Sequence, residues 1–318
     1  MSNLNLTKAS LLVSTLYLGL MGNVFAAQSV DKKLNISSDT QLQIKVQRGD
    51  VTIQTWDKSE VSVTGTLDEL SEGFVFEQQG NSLNIEDKMP RHYNGSNDKG
   101  SQLTIKVPKT VKLSADTISA NLQAAEAQGE LDLNTVSGDI KANNLSGQPE
   151  LHTVSGDIIT QALEGKVRLE TVSGTIQDAD SKGEISYRLV SGDLKSQTLA
   201  EKVTVEQVSG EVNANFSLAK EIVLRTVSGD SKVSLAKNFN RANLESVSGD
   251  IIVTFADMPD ASFDLDGGPG GKIKNTLTQD EPKKQKYVPR AELSFQTGSG
   301  DASVKMNTIS GDLILKKQ

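Results

Sequence analysis

The sequence predicts an all-β protein, a single-chain parallel β-solenoid (β-helix-like) with about 18 residues per coil, preceded by an irregular β cap. Three observations predict it. One four-residue phrase returns at fixed spacing. The residues between its copies alternate apolar and polar, as strands with one buried face do. Glycines fall where such a coil has to bend.

The phrase reads Val136-Ser137-Gly138-Asp139, Val154-Ser155-Gly156-Asp157, Val172-Ser173-Gly174-Thr175, Val190-Ser191-Gly192-Asp193, Val208-Ser209-Gly210-Glu211, Val227-Ser228-Gly229-Asp230 and Val247-Ser248-Gly249-Asp250. The valines stand 18 residues apart through Val208, then 19, then 20. A degenerate copy, Ile118-Ser119-Ala120-Asn121, precedes the series, and an echo, Ile309-Ser310-Gly311-Asp312, closes the chain. A fixed period of this length marks a repeat architecture.

With the Val as position 1, the apolar columns are position 1, position 5 (Ile140, Ile158, Ile176, Leu194, Val212), position 10 (Leu145, Leu163, Leu199), and positions 14 and 16 (Leu131 and Leu133, Val167 and Leu169, Ile185 and Tyr187, Val203 and Val205). Each repeat therefore holds two short strands, one ending at the Val and one starting just after the Ser-Gly-Asp turn. Gly at position 3 permits backbone angles that other residues resist, and Ser and Asp beside it bond the local backbone. A second bend is expected near position 12, at Gly147, Gly165 and Gly183. Coils stacked about 4.8 Å apart make a rod of roughly 40 Å from eight repeats, each burying its apolar face against its neighbours.

Two other architectures are less consistent with the residues. A left-handed hexapeptide helix needs aliphatics at positions 1, 7 and 13, where this chain has Val136, Ala142 and Gln148, then Val154, Thr160 and Lys166. A β-sandwich of hairpins does not need near-identical turns at fixed spacing. Parallel crossovers favour a right-handed coil.

In chain order, residues 1–26 read as a secretory signal peptide. Lys8 gives a positive start, Leu11 to Leu20 an apolar core, and Val24-Phe25-Ala26 a cleavage site. The apolar run is too short for a spanning helix, and no second one follows, so no transmembrane segment remains after cleavage. Residues 27–117 form the N-terminal β region. Its strands include 42–46, 51–56, 61–66, 74–78, 82–85 and 102–107, with Arg48-Gly49-Asp50 as a turn and 89–101 as a polar loop. It covers the first coil, because a bare coil end templates aggregation. Residues 118–266 are the solenoid of repeats. Residues 267–318 hold the Gly267-Gly268-Pro269-Gly270-Gly271 loop, a solvated excursion over 279–290, and closing strands around Gly298-Ser299-Gly300-Asp301.

Composition narrows the function classes. The formal net charge is −8, and losing Lys8 with the leader makes it one unit more negative. That opposes nucleic acid and anionic membrane as partners. Aromatics are 4%, too few for a stacking surface. There is no cysteine, which closes lipid anchoring at a leader cysteine, disulfides and thiolate chemistry. No cofactor is expected.

The candidate sites are few. Asp139, Asp157, Asp193, Asp230 and Asp250, with Glu211, line one edge, interrupted by Thr175. Adjacent carboxylates about 5 Å apart repel by roughly 1 kcal/mol in water. Calcium would relieve that, but it asks for about six to eight oxygens, and one carboxylate per coil beside a Ser is thin. Turn capping is the favoured role and no metal is assigned. Arg48-Gly49-Asp50 spells an integrin-recognition tripeptide, though Gly-Asp between two strands is ordinary turn chemistry. The two histidines, His92 in a loop and His152 on a strand, stand apart from any strained nucleophile elbow, so no catalytic residue is assigned.

Taken together, Arg48-Gly49-Asp50-Val51-Thr52-Ile53 through Trp56-Asp57, Leu103-Thr104-Ile105-Lys106-Val107-Pro108-Lys109, the Val-Ser-Gly-Asp series, Gly298-Ser299-Gly300-Asp301 and Ile309-Ser310-Gly311-Asp312 resemble a family of proposed bacterial adhesins, envelope proteins with β-strand repeats whose domain has no known function. The resemblance covers nearly all of residues 35–318. It implies an exported, non-enzymatic solenoid, periplasmic or secreted, that serves as an adhesin-like binding or scaffold module. The expected partner is an envelope or surface protein or a polysaccharide. A polysaccharide-acting β-helix enzyme and an envelope-stress regulator are the alternatives.

Overall fold

The computed structural model describes residues 28–91, 99–284 and 290–318. Residues 1–26, where a signal peptide is expected, His92 with most of the 89–101 loop, and Lys286 in the 279–290 excursion lie outside the described residues. The described residues form 27 strands and no helix. No helix among them is long and apolar enough to cross a membrane.

Each central coil contributes one long and one short strand. Gln128–Thr135 is followed by Ile140–Asn143, Ser146–Thr153 by Ile158–Gln161, and Glu164–Thr171 by Ile176–Ala179. Long strands pair parallel with long strands one coil away, as Leu151 with Leu169 and Leu169 with Tyr187. Short strands do the same, as Ile158 with Ile176 and Ile176 with Leu194. The molecule is therefore a parallel β-solenoid with two sheet faces. One continuous core runs between them, from Leu42 to Leu315. Residues added where the period grows to 19 and 20 go to the corner away from the repeated phrase. Two residues separate Ile176–Ala179 from Lys182–Ser191, and five separate Ser231–Leu235 from Arg241–Ser248.

Both ends are built out of chain order. The 16-residue strand Gln41–Trp56 turns a corner and pairs parallel with Thr110–Ala125, also 16 residues, on one side. On the other side it meets Ser82–Lys88 and Ser101–Pro108. Antiparallel strands Glu60–Thr66 and Gly73–Gln79 lie outside those. At the far end Leu313–Lys317 sits between Ile251–Phe255 and Ile273–Asn275. Ala302–Asn307 likewise sits between Arg241–Ser248 and Ala261–Asp266. Parallel coiling thus begins at Gln41, well before Ile118. The echo Ile309–Asp312 stacks directly on the Val247 copy, with Ser310 N–H donating to the Val247 carbonyl at 3.1 Å. Phe239, Phe255, Phe263 and Phe295 pack in series through this end of the core at centroid spacings of 6.1, 6.0 and 4.4 Å, the middle pair edge to face.

The structure changes three local expectations. The Val of the phrase is not a core residue. The inward residue is the one before it (Thr135, Thr153, Thr171, Thr226, Thr308), and the Val points out. The turn glycines Gly138, Gly156, Gly174 and Gly192 are absent from the positive-φ residues. They are glycine because of close approach: a Cβ on each would lie far inside 3.0 Å of the carbonyl oxygen at the same corner one coil back. The second bend turns at position 9, where Asn144, Ala162 and Asp180 hold φ of 53°, 55° and 58°. Gly147, Gly165 and Gly183 follow it inside the long strands.

Gly174→Ala is expected to cost more than about 3 kcal/mol, because the new methyl meets the backbone of the neighbouring coil and not a flexible side chain. Ser173→Ala, one residue away and exposed, is expected to stay within about 1 kcal/mol. Urea unfolding of both variants, followed by circular dichroism, checks the contrast.

Candidate functional site

The phrase builds a hydrogen-bonded corner in the central coils, while farther along Thr226 Oγ1 and Ser246 Oγ are buried with no hydrogen-bond partner. The Thr before the Val turns inward, and its Oγ1 accepts the N–H of the Gly three residues on, at 3.0 Å in Gly138 and Gly156 and 2.9 Å in Gly174. The Asp works between coils and not locally. Asp139 Oδ1 accepts the N–H of Asp157 at 2.9 Å, and Asp157 Oδ1 that of Thr175 at 2.8 Å. Asp193 serves Glu211 at 2.8 Å, Asp230 serves Asp250 at 3.0 Å, and Asp250 serves Asp312 at 2.8 Å. Asn121 begins the ladder by accepting from Asp139 N–H at 3.0 Å, and donates its amide to Asp50 at 2.8 Å. Asp312 extends it to Lys272 N–H at 3.2 Å. Asn121 and Asp312 were visible only as members of the degenerate and echo copies. Each of these aspartates is thus committed through one oxygen to backbone, and Glu211 accepts from Lys232 Nζ at 2.7 Å.

Arg48-Gly49-Asp50 lies inside the strand Gln41–Trp56, where it rounds a corner, and is not a separate turn. Arg48 forks onto Asp68, Nη2 to Oδ1 at 2.9 Å, and the Asp68 side chain is fully buried. Burial alone would raise the Asp68 carboxyl. The Arg48 hydrogen bond, the Leu70 N–H and the Arg48 charge outweigh it and hold the group below its ordinary value. Asp50 accepts from Gln102 and Asn121, each at 2.8 Å. The tripeptide is fixed in the wall. His152 is on a long strand, half-exposed, with Nδ1 3.8 Å from Glu170.

Three other arrangements were not singled out from the sequence. First, Thr160, Asp178 and Ser196 interrupt one inward column of three successive short strands. Asp178 accepts from Thr160 Oγ1 at 2.7 Å, from Ser181, and from Tyr187 Oη at 2.7 Å, while Tyr187 shares a 2.9 Å bond with Ser196. Burial pushes the Asp178 carboxyl above its ordinary value, against the pull of those hydrogen bonds, and burial with the Asp178 charge pushes the Tyr187 phenol up strongly. Secondly, outward residues of the short strands include Asn143, Gln161, Gln177, Gln197, Asn213 and Asn215, with Lys195 among them, along a groove of about 580 Å³. Thirdly, the long-strand face carries an alternating column, His152, Glu170, Arg188, Glu206, Arg225, Glu245. Arg188 joins Glu170 at 3.0 Å and Glu206 at 3.2 Å, and Arg225 joins Glu245 at 3.3 Å. Among the described residues no three of His, Cys, Asp and Glu are grouped to hold a metal.

A family model described as Toastrack DUF4097 matches residues 40–222, more than half of the chain. No curated protein matches. Three solved structures illustrate the structural likenesses. A protein proposed to bind lipid, from Parabacteroides distasonis, shares 16% identity at a TM-score of 0.44, over 93% of this chain and 98% of its own. A proposed adhesin from Parabacteroides merdae shares 13% at 0.41, over 93% and 98%. A proposed adhesin from Bacteroides fragilis shares 12% at 0.33, over 92% and 98%. Identities and scores this low carry no argument about function.

Two outcomes are expected. Calcium, compared with chelator, leaves the melting temperature unmoved, because the aspartates already serve backbone N–H groups; a rise of several degrees would make the edge a cation ladder. Asp178 has its pKa raised by folding, so between the ordinary value of 3.8 and the raised one the folded state binds more protons than the unfolded. Its contribution to stability therefore falls as pH rises through that window, and stays low above it. Asp178→Asn removes the titration. The stability of wild type relative to this variant is expected to fall as pH rises above the ordinary carboxylate value of 3.8, and a flat difference across paired melts would contradict it.

Proposed function

The chain belongs to the Toastrack DUF4097 family, and from that membership we propose that it serves as an exported, non-enzymatic binding or scaffold module of the bacterial cell envelope. The partner it fits best is a neutral polysaccharide chain laid along the short-strand face. The observation that carries this reading is the amide-lined groove across several successive coils. A carboxamide both donates and accepts, so it matches hydroxyl groups in either sense. One pair of outward positions recurs per coil, about every 4.8 Å. A surface that repeats along a line suits a polymer better than a single small molecule.

The non-enzymatic part of the reading rests on how the carboxylates are used. Hydrolysis of a glycosidic bond by a carboxylate pair needs one group free to donate a proton and another free to attack or activate water. Asp178, beside the groove, is buried and satisfied by three hydroxyls. The edge aspartates are held by the next coil. Export rests on the leader read from residues 1–26.

Co-sedimentation of the mature protein with peptidoglycan, and calorimetry with soluble neutral and anionic polysaccharides, test the proposal. A neutral polymer is expected to bind. The exposed triple change Gln161→Ala, Gln197→Ala, Asn213→Ala is expected to weaken binding by roughly tenfold or more, each lost hydrogen bond being worth about 1 kcal/mol. Binding of none of these polymers removes the polysaccharide reading, and shortening of any of them replaces the module with an enzyme.

A further inference from the structure

The most regular apolar residue of the repeat is the one on the outside. Ile118, Val136, Val190, Val208, Val227, Val247 and Ile309 are between 42 and 53% exposed, and Val154 and Val172 are half-buried in the same column. Backbone hydrogen bonds stack them coil on coil. Ser155 N–H donates to the Val136 carbonyl at 2.9 Å, Ser173 to Val154 at 2.9 Å, Ser191 to Val172 at 2.7 Å and Ser310 to Val247 at 3.1 Å. The result is an aliphatic ridge along the length of the solenoid, bordered by the small Ser of every copy.

Neither packing nor strand preference accounts for it. Core packing does not act on an outward side chain. Strand preference would be served equally by Thr, which the chain uses one residue earlier. Apart from the small Ser at position 2, outward columns drift: position 13 reads Glu130, Gln148, Lys166, Glu184, Lys202 down the rod. Only position 1 stays Val or Ile in every copy. A contiguous apolar strip of this kind is uncommon on a monomer and marks an interaction surface.

The column beside the ridge identifies the occupant. Two residues before the valines on the same face runs the alternating series His152, Glu170, Arg188, Glu206, Arg225, Glu245. Consider a second copy laid face to face and antiparallel, with a two-fold axis between the coils of Arg188 and Glu206. Arg188 then faces Glu206, Glu170 faces Arg225, and His152 faces Glu245. The same operation sets Val190 against Val208, Val172 against Val227, Val154 against Val247 and Val136 against Ile309. An alternating column is complementary to its own reverse, so each Arg meets a Glu and His152 meets Glu245, while the eight ridge residues from Val136 to Ile309 meet one another and Ile118 lies beyond them. A parallel pairing of like columns would set Glu on Glu and Arg on Arg.

We propose that the protein self-associates as an antiparallel two-fold dimer through the Val136–Ile309 stretch of the aliphatic ridge, its register set by the flanking Glu/Arg ladder. The interface is isologous, as in most homodimers. It uses the corner and the long-strand face, leaving the short-strand grooves of both copies open, so two polymer sites are presented together. The inference stands apart from the polysaccharide reading.

Sedimentation equilibrium of the mature protein is the test, at about 100 µM, where a dimer with a Kd of about 1 µM is almost wholly formed. A mass of two chains is expected, and a single-chain mass overturns the proposal. Val190→Asp with Val208→Asp is expected to give monomer, and the milder Val190→Ser with Val208→Ser is expected to weaken association with an unchanged circular dichroism spectrum. A dimer indifferent to both pairs places the interface elsewhere and overturns the proposal. Arg188→Glu alone and Glu206→Arg alone are each expected to weaken association by at least about tenfold, through like charges brought face to face. Mixed one to one, these two variants are expected to recover a dimer, because positions 188 and 206 then carry opposite charges at both crossings. Failure of the mixture to recover rejects the antiparallel register.

Discussion

The rest of the structure depends on how closely successive coils approach at the Ser-Gly corner. Strand pairing holds neighbouring coils about 4.8 Å apart. Where the chain turns, a side chain at the third position would point along the rod axis into the coil behind. From Gly138 through Gly249 to Gly311, that space is filled by the carbonyl of the residue beneath. Glycine is thus dictated by contact with a neighbour, and only then by the bend. The inward Thr can reach the Gly N–H because the corner is this tight, and the Asp can reach the next coil because the two corners lie directly over one another. Extra residues are admitted at the opposite corner, past the end of its own shorter glycine column of Gly129, Gly147, Gly165 and Gly183, and the period grows to 19 and 20 there without disturbing the phrase.

Much of this was legible in the residues. Ile140, Ile158 and Ile176 at position 5, and Leu133, Leu169 and Tyr187 at position 16, are core residues as their alternation implies. The outward Val was legible too, by that same alternation. If positions 14 and 16 face in, the Thr at 18 faces in and the next residue faces out. Hydrophobicity places the Val with the core columns, and register overrides hydrophobicity. The bend at Asn144, Ala162 and Asp180 was hidden because three unrelated side chains occupy it and no residue type advertises it. The out-of-order ends were hidden for a different reason. Pairing Ile251 with Leu313 and Gln41 with Lys112 depends on contacts across long stretches of chain, and a local pattern carries no record of them.

The candidate sites divide along the same line. The Asp edge is expected from the phrase to bond its own turn, whereas each Asp accepts from the next coil, a direction that follows from the stacking and not from the phrase. The buried trio Thr160, Asp178 and Ser196 sits at position 7, which is Ala142 in one coil and Ala214 in another. A polar residue there looks like noise until Tyr187, from the other face, is seen to reach it. The cluster joins the two sheets through hydrogen bonds in the middle of an otherwise apolar core. In a low dielectric such bonds are strong when complete and costly when one member is lost.

One-dimensional repetition also separates the outer surfaces by chemistry. The turn edge is acidic and occupied with backbone. The long-strand face pairs its own charges along the rod, so much of its charge is already neutralised by neighbours. The short-strand face is largely amide. A substitution in one coil therefore changes one rung of one column and leaves the other columns as they were, and the repeat can vary one surface without touching the other two. Against that freedom, the constancy of Val and Ile at position 1 stands out as a constraint imposed from outside the coil. The core does not impose it, because the side chain is not in the core. The corner does not impose it, because Thr, Gly and Asp make the corner. What remains is a surface that has to match something of the same period and the same length, and the chain itself has both.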